Sequence, residues 1–166
     1  MSKAFVALGS NLQDPVLQVK NAMLALEKLP KTKLVKTSSL YLSNPVGYET
    51  EQLKSVPDFI NAVAELNTQL EPEALLNVLH AIENEAGRER PFPNAPRVLD
   101  CDLLLYDNVN MHSAKLTLPH PRMHERAFVL LPLAEIAPDL TLANHGNVVK
   151  LALQFKNQGI KRLEEI

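Results

Sequence analysis

Apolar residues recur along this chain with two different periods, and the order in which those periods alternate constrains the fold more than any other feature. Ala4 to Leu8 is a short apolar run ended by Gly9-Ser10-Asn11, which reads as a buried strand. Asp14-Pro15 follows as an N-cap residue with proline at the first helical position. Behind it Val16, Val19, Met23 and Leu26 recur at helical spacing and predict a helix to about Leu29. Lys33 to Leu42 reads as a second strand and Phe59 to Thr68 as a third. Pro72 opens a second helix with Leu75, Leu79, Ile82 and Ala86 on one stripe, and Gly87 stops it. Val98 to Tyr106 is a fourth strand. The order β-α-β-β-α-β predicts a ferredoxin-like α+β core, an antiparallel sheet with two helices on one face. After Thr117 a loop, a short helix over about Arg126 to Ile136 and a last helix near Asn147 to Phe155 are expected over the sheet's other face or edge.

The 166 residues are enough for one domain, and residues 1–166 are read as a single unit. A net charge of −2 argues against attachment to nucleic acid or an anionic membrane by bulk charge. Three Tyr, five Phe and no Trp leave few rings to stack bases along a strand. No apolar run approaches the roughly 20 residues of a membrane span. A single cysteine, Cys101, excludes an intramolecular disulfide and a multi-cysteine zinc site. A cytoplasmic protein without nucleic-acid or membrane partners is expected, monomeric by default with a dimer left open. Two stretches, Ser43 to Asp58 and Arg88 to Pro96, are rich in proline and lack periodicity; they read as long loops of the kind that often carry function.

Strand side chains alternate between faces, so in the fourth strand Leu99, Cys101, Leu103 and Leu105 are expected on one face. Asp100 and Asp102 then share the other with Leu104 and Tyr106. Two carboxylates two residues apart stand about 6.5–7 Å from one another at the backbone and can converge on hard cations. By spacing alone a solvated strand face and a magnesium site weigh equally. Phe59 and Asn61 face away from the apolar side of the third strand, formed by Ile60, Ala62, Ala64 and Leu66. A ring beside an amide suits a flat heterocycle, although an asparagine satisfying a neighbouring loop is the commoner case. Arg88, Arg90 and Arg97 bracket the second loop and could meet phosphate, or simply be solvated. His80 and Glu83 lie three apart on the second helix, a cavity pair or a surface pair on spacing alone. His120 and His124 are four apart, but Pro119 and Pro121 disfavour the helix that would join them as zinc ligands. Cys101 reads as a small buried hydrophobe. No phosphate-binding glycine loop of the usual kinds is present.

Taken together these residues match a family. The chain resembles 6-hydroxymethyl-7,8-dihydropterin pyrophosphokinases through Leu8-Gly9-Ser10-Asn11-Leu12, Ser39-Leu40-Tyr41, Asn44-Pro45-Val46-Gly47 and Pro57-Asp58-Phe59-Ile60-Asn61-Ala62-Val63. The resemblance continues through Ile82-Glu83, Gly87-Arg88-Glu89-Arg90, Ala95-Pro96-Arg97-Val98-Leu99-Asp100-Cys101-Asp102, Leu118-Pro119-His120-Pro121-Arg122 and Glu125-Arg126-Ala127-Phe128. It implies a ferredoxin-like core elaborated to a three-layer α/β/α sandwich. It implies pyrophosphoryl transfer from ATP to the pterin's hydroxymethyl group, with Asp100 and Asp102 binding two Mg2+. It places the pterin between Phe59 and Phe128, read by Asn61 and by Ser43, Asn44, Val46 and Gly47. Arg88 and Arg97 fall on its catalytic loop. His80, Glu83, Arg97, Leu103, Lys115, Leu116, Thr117, His120 and Arg126 fall where the family contacts the nucleotide. The chain departs from the family in that loop, with Pro93-Asn94-Ala95-Pro96-Arg97 in place of R-W-G-P-R. That departure keeps a second expectation open, a non-catalytic pterin- or nucleotide-binding paralogue, and a third, a metal-dependent nucleotide hydrolase.

Overall fold

The computed structural model describes residues 1–11, 14–43, 58–87, 98–155 and 160–163. Strand β1 (Ser2–Ser10) leads to helix α1 (Pro15–Glu27), then to β2 (Thr32–Thr37), β3 (Tyr41–Ser43) and β4 (Phe59–Thr68). Helix α2 (Pro72–Ala86) and β5 (Asp100–Tyr106) complete the core. The hairpin β6 (Met111–His112) and β7 (Thr117–Leu118) follows, then α3 (Ala127–Ile136), β8 (Thr141–Leu142), β9 (Gly146–Asn147), α4 (Val148–Leu153) and β10 (Ile160–Arg162). Asp14 caps α1 from the left-handed region, its side chain accepting from Leu17 N, with Pro15 behind it. Gly87 ends α2, its N–H donating to the Glu83 carbonyl. Among the described residues no helix is long and apolar enough to cross a membrane.

The main sheet runs β10-β3-β4-β1-β5, with β2 on the same side of β4 as β3, and every pairing is antiparallel. This is the expected ferredoxin-like arrangement. Each face of β1 is apolar, so each is covered. Ala4, Val6 and Leu8 join Ile60, Ala62, Ala64 and Leu66 of β4 and Cys101 and Leu103 of β5 under α1 and α2. Phe5, Ala7, Val63, Leu104 and Leu105 pack under Leu130 and Leu133 of α3 and Val148 and Ala152 of α4. The tail helices therefore form a third layer on the sheet's other face. The tail also supplies β10, an edge strand that its sequence does not announce.

Besides a bulge at Val35 of β2, between the pairs Leu34–Leu66 and Lys36–Glu65, two irregularities depart from simple alternation. The expected strand Lys33 to Leu42 is broken at Ser38. There the backbone N–H of Ser38 donates to the Val63 carbonyl at 2.8 Å, and its hydroxyl accepts from Val63 N at 2.9 Å. A side chain has replaced part of the ladder, and three residues now oppose two. The second lies in β5, where Phe5 pairs with Leu105 but Val6 pairs with Leu103, leaving Leu104 as the extra residue of a bulge. Leu104 and Leu105 consequently both face α3 and α4, and Tyr106 turns toward α1 and α2. The strict alternation expected past Leu103 is corrected accordingly: Leu105 leaves the Cys101 face and Tyr106 leaves the aspartate face.

The two apolar layers differ from the exposed helix surface in a way that stability measurements will read. Leu130 is fully buried and Leu24 is 53% exposed. Leu130→Ala is expected to cost about 2–5 kcal/mol in urea unfolding, and Leu24→Ala about 0.5 kcal/mol or less.

Candidate functional site

The site begins with a row across three strands. Asn61 on β4, Gly9 on β1 and Asp100 on β5 are consecutive partners in register, so their side-chain positions share one face. The next row toward the middle of the sheet is Val63, Ala7 and Asp102. That face is the one α3 and α4 cover further along, so the two aspartates sit where the covering layer ends. Asn61 and Asp100 are two strand spacings apart, roughly 9–10 Å. Gly9 keeps the floor between them open. A Cβ there would stand 3.2 Å from Asn61 Oδ1, tighter than such a contact normally allows.

Asn61 is buried, and its amide donates to Ser43 Oγ at 2.6 Å. Phe59 pairs with Ser43 in the same register and is half-buried. Phe128, in the first turn of α3, is half-buried as well, and the Arg126 guanidinium carbon lies 5.7 Å from its ring centroid. His120 is held from its backbone: its N–H donates to the carbonyl of Leu104, the bulge residue, at 2.9 Å. Burial pushes the His120 pKa below its usual value, the Asp102 carboxylate opposes that shift, and Arg126 and Arg122 add to it. His120, Asp102 and Arg126 therefore interact electrostatically at one end of β5.

Residues 5–138 match the family described as 7,8-dihydro-6-hydroxymethylpterin-pyrophosphokinase (HPPK). The chain belongs to the HPPK family. It is 45% identical over 163 residues to the 2-amino-4-hydroxy-6-hydroxymethyldihydropteridine pyrophosphokinase of Haemophilus influenzae, covering 98% of this chain and 99% of that protein. The protein of the same name from Pseudomonas aeruginosa is 44% identical over 163 residues, covering 98% of both. In fold, the chain is similar to a crystal structure of an HPPK-DHPS in complex with substrates, with a TM-score of 0.74 and 14% identity. That similarity covers 99% of this chain and 47% of the other, so the chain spans about half the length of that longer protein.

With HPPK membership in view, the residues singled out from sequence divide by their place in the fold. Ser43, Phe59, Asn61, Asp100 and Asp102 share the face described above. His120 reaches its end of the site from the loop after β7, and Arg126 and Phe128 from the start of α3. Leu103 and Leu116 lie in the opposite apolar layer, with Glu83 on the same side. Glu83 is buried, and its Oε2 accepts the Cys101 backbone N–H at 2.8 Å, an amide of the edge strand. His80 is exposed on α2, so the pair read at i, i+3 divides into one buried carboxylate and one surface imidazole. Lys115 is exposed and Thr117 half-buried in the β6–β7 hairpin. Asn44, Val46, Gly47, Arg88, Arg90 and Arg97 lie outside the described residues.

Cys101 faces away from the aspartates, and its thiol is pushed well up by burial, then by the carboxylates of Glu83, Asp102 and Asp100. A protonated thiol in an apolar layer is no nucleophile. His124 does not join His120; it stacks on His145 with centroids 3.7 Å apart and rings 8° from parallel. Among the described residues no group of three or more His, Cys, Asp or Glu side chains could hold a metal. Gly9 is legible in the sequence as part of a turn signal and of the Leu8-Gly9-Ser10-Asn11-Leu12 motif, and its place in the site follows from register. The Ser10 hydroxyl, which donates to the Val98 carbonyl and fastens the entry to β5, carried no signal of its own.

His120 offers a direct measure of this electrostatic arrangement. Its folded-state pKa lies below the unfolded value, so the unfolded chain binds the proton first as pH falls. It therefore adds stability that is present above about pH 6.5 and is lost below, through the folded pKa. In an NMR titration its imidazole signals should report a midpoint below 6.5. Asp102→Asn should move that midpoint further down, because the carboxylate is the group that opposes the shift.

Proposed function

We infer that this chain transfers the pyrophosphoryl group of ATP to the hydroxymethyl group of 6-hydroxymethyl-7,8-dihydropterin, giving AMP and the pterin diphosphate, as its HPPK membership indicates. The observation that carries the reading is the row Asn61–Gly9–Asp100, with Asp102 in the next row. An amide and a carboxylate pair occupy one sheet face, separated by a floor that has no side chain. That spacing suits two substrates lying side by side with the reacting groups between them.

The pterin lies on the Asn61 side. Phe59 and Phe128 supply ring faces, and Asn61, held by Ser43, reads the heterocycle's edge together with backbone groups of Asn44, Val46 and Gly47. The nucleotide follows the free edge of β5. Only an edge position lets Asp100 and Asp102 on one face and Leu103, Leu116 and Glu83 on the other all approach one ligand, with His80, Lys115 and Thr117 alongside.

Asp100 and Asp102 offer hard oxygen donors, and with no third His, Cys, Asp or Glu grouped beside them among the described residues they would leave coordination positions for water and phosphate oxygens, as Mg2+ prefers. Two Mg2+ held there would neutralise the phosphates and orient the transferred group. The pterin's hydroxymethyl oxygen attacks the β-phosphorus in line, its proton is lost, and the bond to the α-phosphate oxygen breaks to release AMP. No side-chain nucleophile is required, consistent with the protonated, inward-facing Cys101. His120 and Arg126 stand at the phosphate end. Arg88 and Arg97, which lie outside the described residues, would stabilise charge that builds during transfer.

The test is AMP formation from Mg2+-ATP with and without the pterin alcohol. AMP appearing only with the pterin supports transfer; AMP without it supports a hydrolase, and none in either case supports a binding paralogue. Asp100→Ala or Asp102→Ala should abolish turnover and weaken Mg2+-ATP binding, with unfolding midpoints close to wild type. Arg97→Ala should lower kcat on the order of 10²–10³-fold with little change in either substrate's affinity, as for an interaction made chiefly in the transition state. Unchanged single-turnover rates in that variant would remove Arg97 from the chemical step.

A further inference from the structure

We propose that Glu135 is a positioning residue for the pterin, locking β3 to α3 and thereby setting the separation between the pocket's aromatic and polar walls. The proposal rests on the pterin pocket assigned above. Among the described residues the polar partners of Glu135 are Ser39, Tyr41 and Arg162, and neither composition nor motif spacing draws attention to it.

Four hydrogen bonds converge on this carboxylate. Ser39 N donates to both oxygens at 3.0 Å, Ser39 Oγ to Oε2 at 3.1 Å, and the Tyr41 hydroxyl to Oε1 at 2.8 Å. All the donors lie in the short stretch where the chain leaves the ladder at Ser38 and enters β3. At the near end of the lock, α3 carries Phe128 seven residues before Glu135. Seven residues are close to two turns, so the two side chains leave one stripe of the helix about 10 Å apart. At the far end, Tyr41 is buried and pairs with Asn61, and Ser43, two residues on, accepts the Asn61 amide. The carboxylate thus joins the helix bearing Phe128 to the strand bearing Ser43, and through it to Asn61.

Two further observations show which part of the lock matters. Burial and then the Glu135 carboxylate push the Tyr41 phenol far above its ordinary pKa, so it remains a donor wherever the protein is folded. Arg162 of β10 also approaches Glu135, at 3.7 Å, but its side chain is 61% exposed. An exposed ion pair of that length contributes little. Charge-assisted hydrogen bonds from ordered backbone and phenol donors contribute more. Glu135→Gln replaces an acceptor oxygen by an amide group that must face donors, so it unsettles the lock without opening a cavity.

The experiment compares Glu135→Gln, Tyr41→Phe, Arg162→Met and Asn61→Ala in full-length protein. It measures KM for each substrate, kcat, thermal midpoint, and pterin Kd in the presence of an ATP analogue with a methylene group bridging the α and β phosphorus atoms. Glu135→Gln should raise the pterin KM and Kd about tenfold, equivalent to about 1.4 kcal/mol. Tyr41→Phe should raise them about threefold and Arg162→Met less than about twofold, with ATP KM and saturated kcat within about twofold in these three variants. A merely structural role would lower the thermal midpoint and the active fraction while leaving the pterin KM of the folded protein alone, and that result overturns the proposal. Should Glu135→Gln fail to fold, the threefold shift in Tyr41→Phe decides. If Asn61→Ala weakens pterin while Glu135→Gln and Tyr41→Phe do not, the lock is wrong and the pocket stands. An unchanged pterin Kd in Asn61→Ala means the pocket itself is misplaced, and the lock falls with it.

Discussion

Antiparallel pairing of β1 with β4 on one side and β5 on the other is the constraint on which the rest of the structure depends. It places Gly9 opposite both Asn61 and Asp100, and Ala7 opposite both Val63 and Asp102. A slip of one residue in either ladder would send its side chains to the wrong face. The slip is opposed twice over, because β1 is apolar on both faces. Moving Phe5 and Ala7 into the layer beneath α1 and α2 would force Ala4, Val6 and Leu8 against α3 and α4. The core therefore enforces the register, and the register assembles the site. The polar residues contribute little to folding and are carried to their places by leucines and alanines.

Departures from regular pairing do the finer placement. The bulge at Leu104 turns a second leucine toward α3 and α4, and the carbonyl of that same residue holds the His120 amide. The break at Ser38 satisfies Val63 with a hydroxyl and sends Ser39 to Glu135 rather than along the ladder. In both places a local loss of strand hydrogen bonding is offset by a contact to another element, and that element borders the site. Bulges near functional sites commonly re-aim side chains in this way.

These irregularities also mark the limit of what the sequence conveys. Periodicity found the four-strand, two-helix core and the two tail helices, since each rests on apolar spacing that local sequence displays. It separated Ile60, Ala62, Ala64 and Leu66 from Phe59 and Asn61 correctly for the same reason. It missed the bulge at Leu104, because a run of three leucines followed by tyrosine is apolar in any register. It merged β2 with β3, because nothing local distinguishes a serine that caps a neighbouring strand from one within a strand. The strand β10 pairs over only three residues, and Gly9 becomes meaningful only when β4 and β5 lie on either side of it. Each of these depends on partners distant in sequence. Motif resemblance supplies candidate contacts on both faces of β5, and because β5 is an edge strand both faces can border one ligand under the proposed function.

The same edge carries an asymmetric field. Glu83, Asp100 and Asp102 surround the Cys101 position closely enough to help hold its thiol protonated, although that side chain belongs to the apolar layer. A few residues away, His120 feels Asp102 on one side and Arg126 and Arg122 on the other. Negative potential is therefore concentrated at the start of β5, and positive potential just beyond it at the start of α3. Under the proposed function a divalent cation would be drawn to the first and a phosphate to the second, so a metal–phosphate ligand would span the two more favourably than either ion alone. Under the proposed function, Asn61 and Phe59 lie across the Gly9 floor from Asp100, where a neutral heterocycle would give up little solvation energy on binding. The proposed reaction would thus have its charged half placed by electrostatics along β5 and its neutral half by packing near α3, with Gly9 where the two meet.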